Sequence, residues 1–260
     1  MGIVNVTPDS FSDGGRFLDP AAAVAAARRL VGEGADIVDL GAESTRPGSR
    51  AVTEDEEWSR LEPVLAALAD LACPLSVDTR HPSVMARAIR AGASIINDIE
   101  GFRSEAARAA VAGSDAGLVV MHMKGEPRSM QEAPHYDDVV SEVRDFLAAQ
   151  RDRLHDAGVG GQRICLDPGF GFGKTLAHNL DLLAGLGALR PLGCPVLVGL
   201  SRKSMIGALT GRPVDERLGG SIAAALAAVE RGAHIVRVHD VAQTVAALAV
   251  WRAVQGRHDD

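Results

Sequence analysis

The sequence predicts an α/β chain closed into a (β/α)8 barrel, one domain over residues 1–260, and three observations predict it. Eight short apolar runs, nearly all separated by helical patterns, fit within 260 residues, a length typical of that architecture. One segment type recurs: Gly34-Ala-Asp-Ile-Val38, Gly92-Ala-Ser-Ile-Ile96 and Gly232-Ala-His-Ile-Val236 each set a glycine, suited to end a helix in the left-handed conformation, before a short apolar strand. Every strand also leads into a polar residue, as expected where chemistry gathers at one barrel mouth. Strands this short and apolar suit a parallel sheet covered by helices. An open doubly wound sheet is disfavoured, because no G-x-G-x-x-G follows the first strand.

Taken in order, Met1–Val6 is the first strand, and the polar loop Thr7–Gly15 follows it. Asp19 and Pro20 supply an N-cap and a first-turn proline to an alanine-rich helix running to Val31, which Gly32 and Gly34 stop. Asp36–Leu40 is the second strand, followed by the loop Gly41–Gly48. Thr53 and Glu56 fit a capping box for a helix to about Asp70. Leu75–Asp78 is the third strand, and His81-Pro82 opens another helix. Ile95–Asp98 and Leu118–His122 are the fourth and fifth strands. An irregular connection, Lys124–Tyr136, leads to a helix from about Asp137 to His155. The sixth strand ends at Asp167 and precedes a helix over roughly 176–189. Pro195–Gly199 is the seventh strand, the loop Ser201–Ser204 follows, and the next helix covers about 215–231. Strand Ile235–His239 and a helix over 241–255 complete the chain.

Composition narrows the function. With 47% hydrophobic and only 3% aromatic residues, the core must be aliphatic and alanine-rich. A net charge of −7 argues against a nucleic-acid partner, while leaving room for a local basic pocket. No apolar run approaches the roughly eighteen residues that span a bilayer, and no basic segment precedes an apolar one at the start. Cys73, Cys165 and Cys194 are scattered without C-x-x-C or metal spacing, so buried thiols and a cytoplasmic location are expected.

The stretch Asp167-Pro-Gly-Phe-Gly-Phe-Gly-Lys174-Thr175 nearly matches the phosphate loop G-x-x-x-x-G-K-[ST], but Pro168 occupies the first glycine position. Proline lacks the N–H that such a cradle uses, so the stretch reads as a strand-end site and not as a nucleotide triphosphatase loop. The strand ends together offer Asn5, the Thr45-Arg46 loop, Asp78, Asn97, Met121-His122, Asp167, Lys203 and Arg237-Val-His239. A single Asp or Asn there is commonly a cap or turn former; eight polar termini converging on one mouth shift the balance to a ligand site. Asp78, Asn97 and Asp167 suit a flat heterocycle rich in N–H donors, since a carboxylate accepts two parallel hydrogen bonds from an amidine-like edge. Lys203 suits a carbonyl or ring nitrogen of the same heterocycle. Arg46, Arg237 and His239 suit phosphate, and Asn5 suits a hydrated Mg²⁺ beside it. Ser204 begins the helix after the seventh strand, where free N–H groups favour an anion.

Several of these motifs resemble one family. Asn5–Gly15 and Glu43-Ser-Thr-Arg-Pro-Gly48 are similar to the two signature loops of dihydropteroate synthase, the sulfonamide target in folate synthesis. Ser76–Thr79, Ile96–Ile99, Met121–Met123, Asp167–Thr175, Ser201–Ser204 and Arg237–Asp240 fall in that family's order and spacing, so the resemblance spans nearly the whole chain. It implies a transferase that joins 6-hydroxymethyl-7,8-dihydropterin diphosphate to p-aminobenzoate, giving 7,8-dihydropteroate and pyrophosphate. It further implies that Asp78, Asn97, Asp167 and Lys203 hold the pterin, and that Asn5, Arg46, Arg237 and His239 hold the diphosphate, with Mg²⁺ at Asn5. Phe11, Thr45, Pro47, Lys203 and Ser204 would shape the aminobenzoate site, and Asp13 would help stabilise positive charge on the pterin. The catalytic set so implied is Asp13, Asp78, Lys203 and Arg237. The family is commonly dimeric, so a homodimer is expected. Two features differ: the family carries residues ahead of the first strand that cover the barrel floor, and Ala42 stands where it has a second glycine.

Two other readings are weaker. A pterin-dependent methyltransferase would share the Asp and Asn set but has no use for Arg46, Arg237 and His239. A non-catalytic pterin-binding paralogue would carry altered loops on an intact barrel, whereas the first loop here is complete.

Overall fold

A computed structural model describes residues 1–7, 20–43, 52–126 and 129–256. Its elements alternate as expected. β1 (Gly2–Asn5), β2 (Val38–Gly41), β3 (Leu75–Asp78), β4 (Ile95–Asp98), β5 (Gly117–Met121), β6 (Ile164–Asp167), β7 (Leu197–Val198) and β8 (Ile235–Val236) are the strands. Between and after them run α1 (Pro20–Gly32), α2 (Glu54–Ala67), α3 (Pro82–Arg90), α4 (Glu105–Ala112), α5 (Val139–Asp156), α6 (Leu176–Ala184), α7 (Ser204–Thr210), α8 (Leu218–Glu230) and α9 (Val241–Gln255).

β1 to β6 form one parallel sheet in chain order, and β7 pairs with β8. Parallel bridges Leu166–Val196 and Gly2–Val238 join the two pieces at both edges, so the eight strands close into a barrel. Hydrogen bonds from Leu166 N–H to Pro195 O (2.9 Å) and from Ile3 N–H to Val238 O (3.0 Å) cross those seams. Closure leaves no strand edge open to a foreign chain.

Local chemistry explains several helix ends. Thr53, Ser104, Asp138 and Thr175 each accept a backbone N–H from the first turn of α2, α4, α5 and α6. Such caps stabilise a helix by about 1 kcal/mol each. The three glycines of the recurring segment adopt φ of 98°, 96° and 104° at Gly34, Gly92 and Gly232. The residue after each then donates to a carbonyl five positions back, at Leu30, Ala88 and Ala228 respectively.

Five details differ from the sequence reading. α2 stops at Ala67, short of Asp70, and α6 stops at Ala184, where Gly185 passes the chain into a 3-10 turn over Leu186–Leu192. The regular part of β7 and of β8 is two residues long. The helical region after β7 is two helices, α7 and α8, because Gly211 takes φ of 69° and Pro213 follows it. α4, for which no helix was expected, completes the βα alternation.

Burial follows the alternation of each strand. Val4, Leu40, Val77, Ile96, Val120 and Leu166 face outward into one core with Ala23, Ala27, Leu30, Leu61, Leu65, Val84 and Met85 of the helices. The opposite faces build the barrel interior, whose lower layer is an apolar plug of Met1, Ile37, Ile95, Val119, Cys165, Leu197 and Ile235. Two residues further along a strand, the same face is reached again. Those positions are Asp39, Asn97, Met121, Asp167 and Arg237, so the interior changes from apolar to charged within one step.

Candidate active site

The strand register sets the site's height. Asn5 pairs with Gly41, Gly41 with Asp78, and Asp78 with Asn97, placing three predicted site residues on one rung at the carboxyl ends of neighbouring strands. Asp167 sits across from Met121 at the corresponding end of β6.

Arg237, just past β8, reaches into this layer. Its Nε donates to Asp39 Oδ2 at 2.6 Å and its Nη2 to Asp78 Oδ2 at 2.8 Å. Asn97 Nδ2 approaches the same Asp39 oxygen at 3.5 Å. Asp39 is wholly buried, and its Oδ1 has no partner, nor has Asn97 Oδ1. Two buried acceptors without donors are costly unless a ligand supplies the missing N–H groups. Burial pushes the Asp78 carboxyl up to about 7 against the opposing pull of Arg237, with Asp39 adding to the rise. The Asp167 carboxyl is likewise raised by burial, while the Gly169 N–H at 2.7 Å favours its anion. Burial lowers Lys203 to about 8, and the charge of Arg237 acts in the same direction. Its Nζ stands 4.3 Å from the centre of the Phe172 ring.

In the loop after β6 the lysine of the near-match does not point outward. Lys174 turns back into its own loop, donating to Gly169 O at 2.8 Å and Phe172 O at 3.1 Å, with Nζ 2.9 Å from His122 Nδ1. Asn179 of α6, also buried, accepts the Gly171 N–H at 2.7 Å. His178 is structural, completing the Thr175 capping box.

On the β7–β8 side, Ser201 Oγ and His239 Nδ1 are 3.0 Å apart, and Ser201 Oγ also accepts the His239 backbone N–H at 3.2 Å. Arg202 clamps Asp240 through Nε (3.0 Å) and Nη2 (2.5 Å), tying the loops after β7 and β8 together. Ser204 is the first residue of α7 and Lys203 is its N-cap. The mouth is thereby divided: Asp39, Asp78, Asn97 and Asp167 come from the six-stranded arc, and Lys203, Arg237 and His239 from β7 and β8 and the loops that follow them.

Phe11, Asp13, Thr45, Arg46 and Pro47 lie outside the described residues. What borders the second loop is well held. Glu43 accepts from Arg80 Nε (2.9 Å) and Nη2 (3.1 Å) and from the Val52 N–H (3.3 Å), which links the two sides of the loop base. Burial alone would raise the Glu43 carboxyl, but His81, Arg80 and the Val52 N–H together hold it down at about 2. Ala42 is buried, and its carbonyl accepts from Arg60 at 2.8 Å, so its methyl is part of the core.

Sequence reasoning missed Asp39, Arg80 and the inward pairing of Lys174 with His122, and it named Glu43 and His122 without giving either a role. Asp39 carried a signal: a carboxylate in the middle of an apolar strand must be paired to be buried. Among the described residues, no cluster of three or more His, Cys, Asp or Glu side chains could hold a metal ion.

Comparison with known proteins identifies the family. The family model described as "Pterin binding enzyme" matches residues 1–239. A dihydropteroate synthase of Neisseria meningitidis serogroup C is 52% identical over 259 residues, covering 98% of this chain and 92% of its own. The Xanthomonas albilineans dihydropteroate synthase solved with 4-aminobenzoic acid superposes with a TM-score of 0.92 at 54% identity, covering 98% of this chain and 92% of that one. The Burkholderia cenocepacia dihydropteroate synthase complexed with 7,8-dihydropteroate gives a TM-score of 0.91 at 52% identity, with 99% and 91% covered.

Proposed function

The chain belongs to the dihydropteroate synthase family of pterin-binding enzymes, and from that premise we propose how its barrel mouth divides the work of the reaction. The enzyme is a transferase that condenses 6-hydroxymethyl-7,8-dihydropterin diphosphate with p-aminobenzoate, releasing pyrophosphate and 7,8-dihydropteroate. The observation that carries the assignment of roles is the pair of buried, unpartnered acceptors, Asn97 Oδ1 and Asp39 Oδ1, beside Asp78. A pterin presents the donor-rich edge those oxygens lack.

In this reading Asp78, Asn97 and Asp167 accept the pterin's N–H groups, and Lys203 caps the ring beside Phe172. Arg237 and His239, with Arg46, hold the diphosphate. The methylene carbon–oxygen bond breaks, its electron pair leaves with pyrophosphate, and the aniline nitrogen forms the new carbon–nitrogen bond before losing its proton. Cations at the leaving group lower that barrier, since they meet charge as it develops. Carboxylates around the ring offset the electron deficiency left on the pterin methylene, and Asp13 joins them in that role. Phe11, Thr45, Pro47 and Ser204 shape the aminobenzoate site. The amine is already nucleophilic, so no dedicated general base is needed.

We assign Mg²⁺ to Asn5. A single amide oxygen on the mouth's rung fits an ion that keeps most of its waters and binds substrate phosphates. The ion would offset the charge of the departing diphosphate.

Two broader expectations belong with this reading. Exposed Val245, Val250 and Val254 on α9 support pairing of two copies, checked by sedimentation. The free thiols Cys73, Cys165 and Cys194 fit a cytoplasmic enzyme, checked by fractionation. No helix among the described residues is long and apolar enough to cross a membrane.

The test of function is pyrophosphate release from the dihydropterin diphosphate with Mg²⁺ and p-aminobenzoate, beside Arg237→Ala. Release that depends on aminobenzoate, yields dihydropteroate and collapses in the variant is expected. Release unaffected by Arg237→Ala would remove the arginine from the diphosphate site.

A further inference from the structure

The lysine of the near-phosphate loop has no role in the reaction as described, yet it is 3% exposed and surrounded by acceptors. An uncompensated buried ammonium is costly, and here all three of its N–H groups have a partner: Gly169 O, Phe172 O and His122 Nδ1. Two of these lie within its own loop and the third at the end of β5.

We propose that Lys174 is a positioning residue for the pterin pocket: its ammonium gathers the glycine loop after β6 so that Asp167 and Phe172 are held in place for the ligand. This rests on the reading of Asp167 as a pterin acceptor.

Two bonds of the hub lead to site groups, and the third is anchored on a fixed ring. Gly169, whose carbonyl Lys174 holds, donates its own N–H to Asp167 Oδ1 at 2.7 Å, orienting the carboxylate. Phe172, whose carbonyl is the second acceptor, presents its ring to Lys203 and packs with Ile99, Met121, Met123 and Met130. The loop has little room for another shape. A methyl at Gly169 would lie 1.9 Å from His122 O, and one at Gly173 would lie 2.1 Å from Lys124 O. His122 is fixed in turn, edge-on to Phe146 with centroids 4.9 Å apart. Burial and the charge of Lys174 push its pKa down to about 2, so the imidazole is neutral and can offer a lone pair at Nδ1. Burial also lowers Lys174 to about 7, opposed by the Asp167 charge; with three acceptors around Nζ, the protonated form satisfies every bond.

Two pairs of variants test this. Lys174→Met keeps the stem and removes the donors. His122→Phe keeps a ring against Phe146 and removes one acceptor, whereas His122→Asn returns an acceptor to that place. The readouts are the Kd of the dihydropterin diphosphate without aminobenzoate, the KM of p-aminobenzoate at saturating pterin, and cooperative thermal unfolding. Lys174→Met is expected to weaken pterin binding at least tenfold, with the aminobenzoate KM within threefold and a cooperative transition retained. His122→Phe is expected to lose three- to tenfold, and His122→Asn to recover most of it. If Lys174→Met does not fold, the His122 pair decides, and equal loss in both overturns the proposal. Pterin affinity within twofold of the parent in Lys174→Met and His122→Phe, while Asp167→Asn binds weakly, also overturns it. Normal pterin binding by Asp167→Asn would instead refute the pterin reading of that carboxylate, and with it this inference.

Discussion

Arg237 donates to Asp39 at 2.6 Å, joining the last strand region of the barrel to the second across a wholly buried carboxylate. The same guanidinium reaches Asp78, so one cation is shared by two acids on adjacent strands. The pair anchors Arg237 from beneath. In the proposed reading, Asp78 would turn to the pterin while Asp39 keeps the arginine in place for the diphosphate.

Asp39→Asn keeps the size of the side chain and removes the charge. We expect a loss of about 3 kcal/mol in chemical denaturation, the lower end for breaking a buried pair. Pyrophosphate release should fall at least tenfold. A variant with the parent's rate would show that Asp78 alone anchors the arginine.

Lys203 carries a pH prediction. Burial and the charge of Arg237 lower it to about 8, so its cation is lost as pH rises through that value. The kcat/KM for the pterin substrate should decline above about pH 8. Lys203→Arg, which stays protonated, should lose the descending limb whatever its absolute rate. A limb that survives the substitution belongs to another group.

Glu57 should make stability depend on pH. It is wholly buried, its Oε2 accepts from Thr79 Oγ1 at 3.0 Å, and its Oε1 has no partner. Burial raises its pKa to about 7, from 4.5. A carboxyl whose folded pKa is raised binds its proton more tightly in the native state. Its contribution is therefore greatest at low pH and is lost as pH rises from the unfolded value through the folded one. Against Glu57→Gln, the parent should lose about 1–3 kcal/mol between pH 4.5 and 8. A constant difference between the two curves would mean that Glu57 ionises normally.

Gly169→Ala should be among the most damaging methyl additions in the chain, because φ is 69° and the new carbon meets His122 O. A cost of at least about 3 kcal/mol follows from strain and overlap combined. Gly113→Ala, where nothing lies within 4 Å, should change stability by no more than about 0.5 kcal/mol. Melting of the two side by side checks both.

Much of this architecture is legible in the residues themselves. β3 and β4 can be bounded directly, because Leu75–Asp78 and Ile95–Asp98 are apolar runs closed by a carboxylate. α4 is harder to read: eight residues, mostly alanine, give little periodicity, and the informative signal is the Ser104 cap. α7 is obscured because Ser204–Thr210 is too short to show an amphipathic face, while the stop at Gly211 and Pro213 is visible. Among site residues, those at strand ends can be found by position. Asp39 cannot, since its partner lies 198 positions away. The inward turn of Lys174 is equally hidden, because strand alternation no longer dictates side-chain direction once the strand has ended.

The two seams of the barrel have a consequence for how the chain reaches its native state. The stave pair β7–β8 is the last to be synthesised, and the cation that balances Asp39 and Asp78 follows β8 in the chain. Until then both acids lie on a growing sheet without their counter-ion. Contacts this distant in sequence form slowly, since a long loop must close before they reward it. Completing the cylinder is therefore expected to coincide with neutralising its interior. A nascent chain ending before Arg237 should remain an open sheet with its acids in water, and refolding of Arg237→Ala should stall at that step.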